Sequence, residues 1–147
     1  MHIGISSDHG GIHLKSVIVK LVRDLGHTCD DLGPHDLGAV DYPDYAQKVA
    51  TGVTGGQFDR GILVCGTGQG MAITANKVKG IRAAVCQDTY SARMSREHNG
   101  ANVLCLGERV IGPGLATDIV EAWLETEFSG EERHSRRVAK IHALEDL

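Results

Sequence analysis

Arg60-Gly61-Ile62-Leu63-Val64-Cys65-Gly66-Thr67-Gly68-Gln69-Gly70-Met71 is the stretch from which the rest of the chain can be read. Ile62 to Val64 is a short apolar run of the kind a buried strand needs. It ends on Cys65 and enters a loop with glycine at 66, 68 and 70. A helical pattern follows through Met71, Ala72, Ile73, Ala75 and Val78. A glycine-rich turn between strand and helix lets backbone N–H groups converge on an anion, and the helix N-terminus adds partial positive charge. Cys65 stands at the mouth of that turn. A thiol there can have its pKa lowered, which suits it to act as a base or as a nucleophile. The stretch alone leaves both open.

Outward from this stretch, strands and helices alternate. His2 to Ser6 reads as a strand, Ser7-Asp8-His9-Gly10-Gly11 as its turn, and 12–25 as an amphipathic helix stopped by Gly26. A second strand covers 27–32 and ends at Gly33-Pro34. A polar loop over 35–42 leads to a helix that starts near Pro43, suited to a first helical turn, and ends by Gly55-Gly56. The helix after the glycine loop ends near Val78, before Gly80. Then come a strand over Ile81 to Val85, a helix over Asp88 to Glu97, the turn His98-Asn99-Gly100 and a strand over Asn102 to Leu106. A helix from Pro113 or Gly114 runs to about Phe128, Ser129-Gly130 breaks it, and a charged helix covers Glu131 to about Glu145.

This alternation predicts the α/β class. The expected architecture is a Rossmann-like open five-stranded parallel sheet, order 2-1-3-4-5, with helices on both faces and a C-terminal helix. The 147 residues contain no repeat or linker, so a single domain over 1–147 is expected. Ligands of such sheets bind beyond the carboxyl ends of the strands, where strand order reverses. With that order, the loops meeting there are Asp8 to Gly11 and Cys65 to Gly70.

Composition excludes several classes. A net charge of -4 argues against a nucleic-acid partner, and no apolar stretch is long enough to cross a membrane. No signal peptide is visible, because strand-like residues begin at once. The four cysteines, at 29, 65, 86 and 105, form no C-x-x-C pair, so a reducing cytoplasm is expected. The loop spacing G-x-G-x-G, after the third strand, fits a dinucleotide fingerprint poorly, and no Lys-Ser/Thr makes it a Walker loop. No metal-ligand cluster is apparent, and neither metal nor cofactor is expected.

Each candidate residue also has a plain structural reading. Free Cys is usually a small buried hydrophobe, which is the reading of Cys86 and Cys105. Asp8 can simply cap a helix, but an acid beside His9 at a ligand crevice can also handle hydroxyl protons. His98 and Asn99 sit in an ordinary Asn-Gly turn at the amino end of strand five, whereas Cys65 lies at the carboxyl end of strand three. His98 is therefore expected to reach a neighbouring subunit's Cys65 rather than its own. Arg133 and Arg137 share one helix face, and Arg109 follows strand five. Paired arginines suit a phosphate dianion. His134 and Arg136 point elsewhere on the turn and are weaker candidates.

Six motifs then fall into place together: S-D-H-G-G at 7–11, D-Y-P-D-Y-A at 41–46, G-I-L-V-C-G-T-G-Q-G at 61–70, A-N-K-V-K-G-I-R-A at 75–83, S-R-E-H-N at 95–99 and E-R-H-S-R-R-V at 132–138. Along essentially the whole chain they resemble the type B ribose-5-phosphate isomerases, within a wider sugar-phosphate isomerase group that includes galactose-6-phosphate isomerase subunits. The resemblance implies metal-free interconversion of an aldose phosphate and its ketose through an enediolate. It implies Cys65 as the base at the sugar C2. Thr67 and the amides of Gly66, Gly68, Gln69 and Gly70 would hold the enediolate oxygen. Asp8 and His9 would bind substrate and help open its ring. It also implies His98 as acid with Asn99 beside it, and Arg109, Arg133 and Arg137 as phosphate or substrate contacts. One branch of that family uses a Glu just after the glycine loop; Met71 stands there, so the chain resembles the cysteine-base branch.

The expected activity is ribose 5-phosphate to ribulose 5-phosphate isomerisation by a homodimer or tetramer, with His98 contributed across the interface. The alternatives are an isomerase of a hexose 6-phosphate of allose or galactose type, or of a free sugar. Outside that chemistry stand a non-catalytic sugar-phosphate-binding module and an NAD-binding domain.

Overall fold

A computed structural model describes all residues, Met1–Leu147. Its strands are β1 (His2–Ser7), β2 (Thr28–Asp31), β3 (Arg60–Cys65), β4 (Ala83–Val85) and β5 (Val103–Gly107). Its helices are α1 (Ile12–Asp24), α2 (Tyr42–Thr54), α3 (Gln69–Ala75), α4 (Thr89–Glu97), α5 (Pro113–Glu125) and α6 (Glu132–Ala143). The strands form one parallel sheet.

The class is as expected, but the strand order is β2-β1-β3-β5-β4 rather than 2-1-3-4-5. The last two strands exchange places. Every residue of β5, Val-Leu-Cys-Leu-Gly, is buried, whereas β4 is a three-residue Ala-Ala-Val strand that is only half-buried. The more apolar strand takes the central position, and the short one lies at the edge, where it needs one partner. The switch between β1 and β3 is unaffected. The exchange brings the Gly107–Arg109 turn beside Cys65.

Side-chain alternation builds a core on each face of the sheet. Ile3, Ile5, Ile62, Val64, Leu104 and Leu106 face α1 and α5, meeting Leu14, Ile18, Val22, Ile119 and Trp123. Leu63, Cys65, Val103 and Cys105 face α2 and α3, meeting Ala46, Val49, Met71 and Ala75. Cys65 is thus fixed by the register that buries its neighbours.

Two helices end earlier than their patterns predict: α3 stops at Ala75, and α5 at Glu125 rather than about Phe128. Two buried arginines explain the second stop. Arg60 Nη1 donates to the Trp123 and Leu124 carbonyls at 3.0 and 3.2 Å. Arg96 Nε donates to the Thr126 carbonyl at 3.0 Å. Cations at a helix C-terminus satisfy its orphan carbonyls and oppose its dipole. Both guanidinium groups also approach the buried Trp123 ring, at 5.4 and 5.8 Å. Burial, and then the positive charge of Arg60, brings Arg96 down to about 10. Lys15, 1% exposed, donates to Asp31 Oδ1 at 2.8 Å and the Pro34 carbonyl at 2.6 Å, anchoring the start of the 33–41 loop.

Candidate functional site

Three loops converge beyond the carboxyl ends of β1, β3 and β5. The Asp8 N–H donates to the Val64 carbonyl at 3.1 Å, tying the first loop to β3. Glu108 N–H donates to the Cys65 carbonyl at 2.9 Å, and Arg109 N–H to the Gly66 carbonyl at 3.0 Å, tying the third. The Arg109 side chain lies along the glycine loop; a Cβ on Gly66 would stand 3.5 Å from its Cδ.

Cys65 is 5% exposed, and its sulfur accepts the Gly68 N–H at 3.1 Å. Gly68 has φ +82°, a conformation that glycine takes at little cost. The Thr67 hydroxyl accepts the Gln69 N–H at 3.2 Å. The loop therefore divides its amides. Those of Gly68 and Gln69 hold the loop itself, while those of Gly66, Thr67 and Gly70 have no acceptor within the chain and remain for a ligand. Burial pushes the other thiols up, Cys29 to about 11, and Cys86 and Cys105 in the same direction, as suits packed side chains.

Gly107 is where the third loop comes closest. A Cβ there would meet Thr67 backbone atoms at 2.7–2.8 Å, with main chain on both sides and nothing flexible to yield. Gly107→Ala is expected to cost about 1–3 kcal/mol. A thermal melt should show a Tm several degrees lower; an unchanged Tm would mean that the loops are less tightly joined than described.

Asp8 makes the cap of its structural reading. It caps the turn His9–Gly11, Oδ1 accepting the Gly10 N–H at 2.8 Å, in the loop beyond the carboxyl end of β1. His9 Nδ1 accepts the Val40 N–H at 3.2 Å, so Nε2 carries the proton of the neutral ring and is a donor. Val40 belongs to the loop whose start Lys15 anchors. Tyr42 was not singled out by sequence reading, yet its ring covers Gly70, whose Cβ would meet it at 2.7 Å. Its signal is faint: an aromatic opening a helix after the loop beside the switch point. His9 and His13 stand four apart, but no three His, Cys, Asp or Glu side chains gather to hold a metal ion.

The remaining candidates assemble elsewhere. His98 ends α4 at the amino end of β5, while Cys65 pairs with Gly107 at its carboxyl end. Four ladder steps, about 13 Å of sheet, separate those ends. Around His98 lie Asn99, Arg133, Arg137 and the buried His134. The His98 and His134 rings pack with centroids 4.4 Å apart. Arg133 pairs with Glu131 at 3.2 Å and Arg136 with Glu132, whereas Arg137 has no carboxylate partner. Burial first, then His98 and Arg133, lowers the pKa of His134. The largest cavity, about 620 Å³, opens beside Asn99 and Arg82; neither cavity opens on Cys65.

A buried thiol that accepts the Gly68 N–H, in a glycine loop at the switch point of an open sheet, lies where α/β enzymes bind small molecules. Known proteins give the class its family. The family model described as Ribose/Galactose Isomerase matches residues 3–141. The chain is 48% identical over 143 residues to ribose-5-phosphate isomerase B of Escherichia coli (strain K12), covering 97% of this chain and 95% of that one. Ribose-5-phosphate isomerase B of Clostridium thermocellum aligns with a TM-score of 0.97 at 56% identity, covering 99% of this chain and 98% of the other. The Mycoplasma genitalium enzyme, solved with bound ribulose-5-phosphate, aligns with a TM-score of 0.94 at 41% identity, covering 99% and 96%. The chain belongs to the ribose/galactose isomerase family. No helix is long and apolar enough to cross a membrane.

Proposed function

We propose that this chain interconverts ribose 5-phosphate and ribulose 5-phosphate through an enediolate, with Cys65 as base, in the cytoplasm. The observation that carries the reading is the buried Cys65 sulfur, held by Gly68 N–H, in a loop whose Gly66, Thr67 and Gly70 amides have no acceptor within the chain. A proton next to a carbonyl is only weakly acidic, so its removal needs both a base and donors aimed at the oxyanion. Cys65 takes the proton from C2 and returns it to C1. The C2–H bond breaks, a C1–H bond forms, and a hydroxyl proton passes from O2 to O1. The free amides and Thr67 stabilise the charge between the two steps. Asp8 and the Nε2–H of His9 hold the sugar and assist ring opening, with His98 as acid and Asn99 beside it. Arg109, Arg133 and Arg137 take the phosphate.

The working unit in this reading is at least a homodimer. His98, Asn99, Arg133 and Arg137 of one subunit face Cys65 of the other. Two observations support it: the two clusters lie at opposite ends of the sheet, and neither cavity formed within one chain opens on Cys65. Arg137→Ala is expected to raise KM about 10- to 100-fold, the loss of one charge-assisted contact. Arg136→Ala, whose partner is Glu132, should leave KM unchanged. Equal effects in steady-state assays would remove Arg137 from the phosphate site.

Membership of an isomerase family sets aside the binding-module and dinucleotide readings. The family's description also covers galactose, which favours a hexose 6-phosphate as the second reading. Purified protein assayed on ribose 5-phosphate, allose 6-phosphate and galactose 6-phosphate, with and without EDTA, decides. EDTA-resistant turnover of the pentose supports the proposal. Turnover of a hexose alone keeps the chemistry and changes the substrate, and loss of turnover in EDTA would overturn the metal-free route.

A further inference from the structure

We infer that His134 is a positioning residue that ties His98 to Arg133, so that the acid and a phosphate contact are presented as one unit. The inference rests on the roles proposed above for those two residues. On a helical wheel His134 turns away from the face that Arg133 and Arg137 share. The 126–131 connection reverses that placement by setting α6 against the end of α4.

His134 is the only buried residue of α6, at 4% exposed. A helix that needed only to dock would place an aliphatic side chain there. One face and both nitrogens of this imidazole are instead engaged. One face packs on the His98 ring, with 33° between the planes. Nε2 accepts from Arg133 Nε at 3.3 Å, so Nδ1 carries the proton and donates to Ser129 Oγ at 2.6 Å. Ser129 is held in turn: its N–H donates to the Glu97 carbonyl at 3.0 Å, and its Oγ accepts the Glu131 N–H at 3.2 Å. Its anchor therefore runs back to the residue preceding His98.

The two functional partners have little other support. The His98 side chain is 41% exposed, with Glu97 Oε1 at 3.9 Å from its Nε2. Arg133 is 57% exposed, held otherwise by Glu131. The groups facing His134 are His98, Arg133 and Arg137, which disfavour a second proton on its ring, and Glu131, which favours one. Kept neutral, the ring remains an acceptor for Arg133 and leaves Arg133 Nη2 for an anion. The stack restricts where His98 can swing.

Two variants separate these functions. His134→Phe keeps a ring against His98 and removes both nitrogens; His134→Asn keeps a short donor and removes the ring. His134→Phe should raise KM for ribose 5-phosphate about tenfold with kcat near wild type, since Arg133 alone loses its anchor. His134→Asn should lower kcat about 10- to 100-fold, since a misplaced acid is costly, and shift the limb of the kcat–pH profile that belongs to His98. Melting temperatures and active-site counts are read on the same samples. Wild-type KM in His134→Phe, with wild-type kcat and pH limb in the folded fraction of His134→Asn, overturns the inference even if both melt early. If His134→Asn does not fold, KM of His134→Phe decides alone. Failure of the underlying reading appears separately, as full activity in His98→Asn and Arg133→Ala.

Discussion

Cys65→Ala is expected to lower kcat by about 10³-fold or more, within the range for loss of a positioned base, and to change KM for ribose 5-phosphate less than about threefold. The split follows from what the side chain does in the fold. Its sulfur accepts one bond, from Gly68 N–H. The bonds that join the glycine loop to the Gly107–Arg109 turn run through backbone, Glu108 N–H to the Cys65 carbonyl and Arg109 N–H to the Gly66 carbonyl, and survive the substitution. The free amides stay in place and substrate still binds. Only one sulfur atom is removed, so the stability cost stays modest although the position is buried, about 1 kcal/mol. Wild-type enzyme in deuterated water should place solvent deuterium at C1 of the ketose whenever the proton on Cys65 exchanges before its return, and the variant should lose both turnover and label. Turnover within tenfold of wild type would remove Cys65 as the base.

Mixing two inactive variants should restore activity. Cys65→Ala and His98→Asn each spoil every site of their own homodimer. In a hybrid dimer, one site receives both lesions and the other receives Cys65 from one subunit and His98 from its partner. Equal mixing with free exchange makes about half of the dimers hybrid, so activity should recover to about a quarter of wild type. The effect starts from almost nothing, which makes it easy to read. A site built within one chain would give no recovery at any mixing ratio, provided that exchange is shown independently by differently tagged subunits.

The fold was legible in the sequence to the level of its repeating unit. Apolar runs alternating with amphipathic stretches and glycine stops identify β-α units, and right-handed crossovers leave few ways to assemble them. Lateral order is a different kind of information. It depends on which strand can be covered on both sides, and the clue was the contrast between Val103 to Leu106 and the small residues Ala83 and Ala84. Cys65, Asp8 and His9 were legible because strand ends place them at the switch point. The division of the loop amides was not, because it turns on the rotamers of Cys65 and Thr67. His134 reads only as a weaker candidate for a related reason: helical spacing describes α6 alone, while the partners of this ring lie on α4 and in the turn before α6.

The central place of β5 has a consequence for how the chain is made. β4 pairs only with β5, and β5 is the last strand to be synthesised. Until residues 103–107 clear the ribosome, β3 carries an open edge and Ala83–Val85 have no ladder to join. A sheet formed before then would leave the β3 edge and its apolar side chains uncovered, the condition in which edge-to-edge association competes with folding. Closure of the sheet comes as one late insertion, and α5 and its two arginine caps can dock only after it.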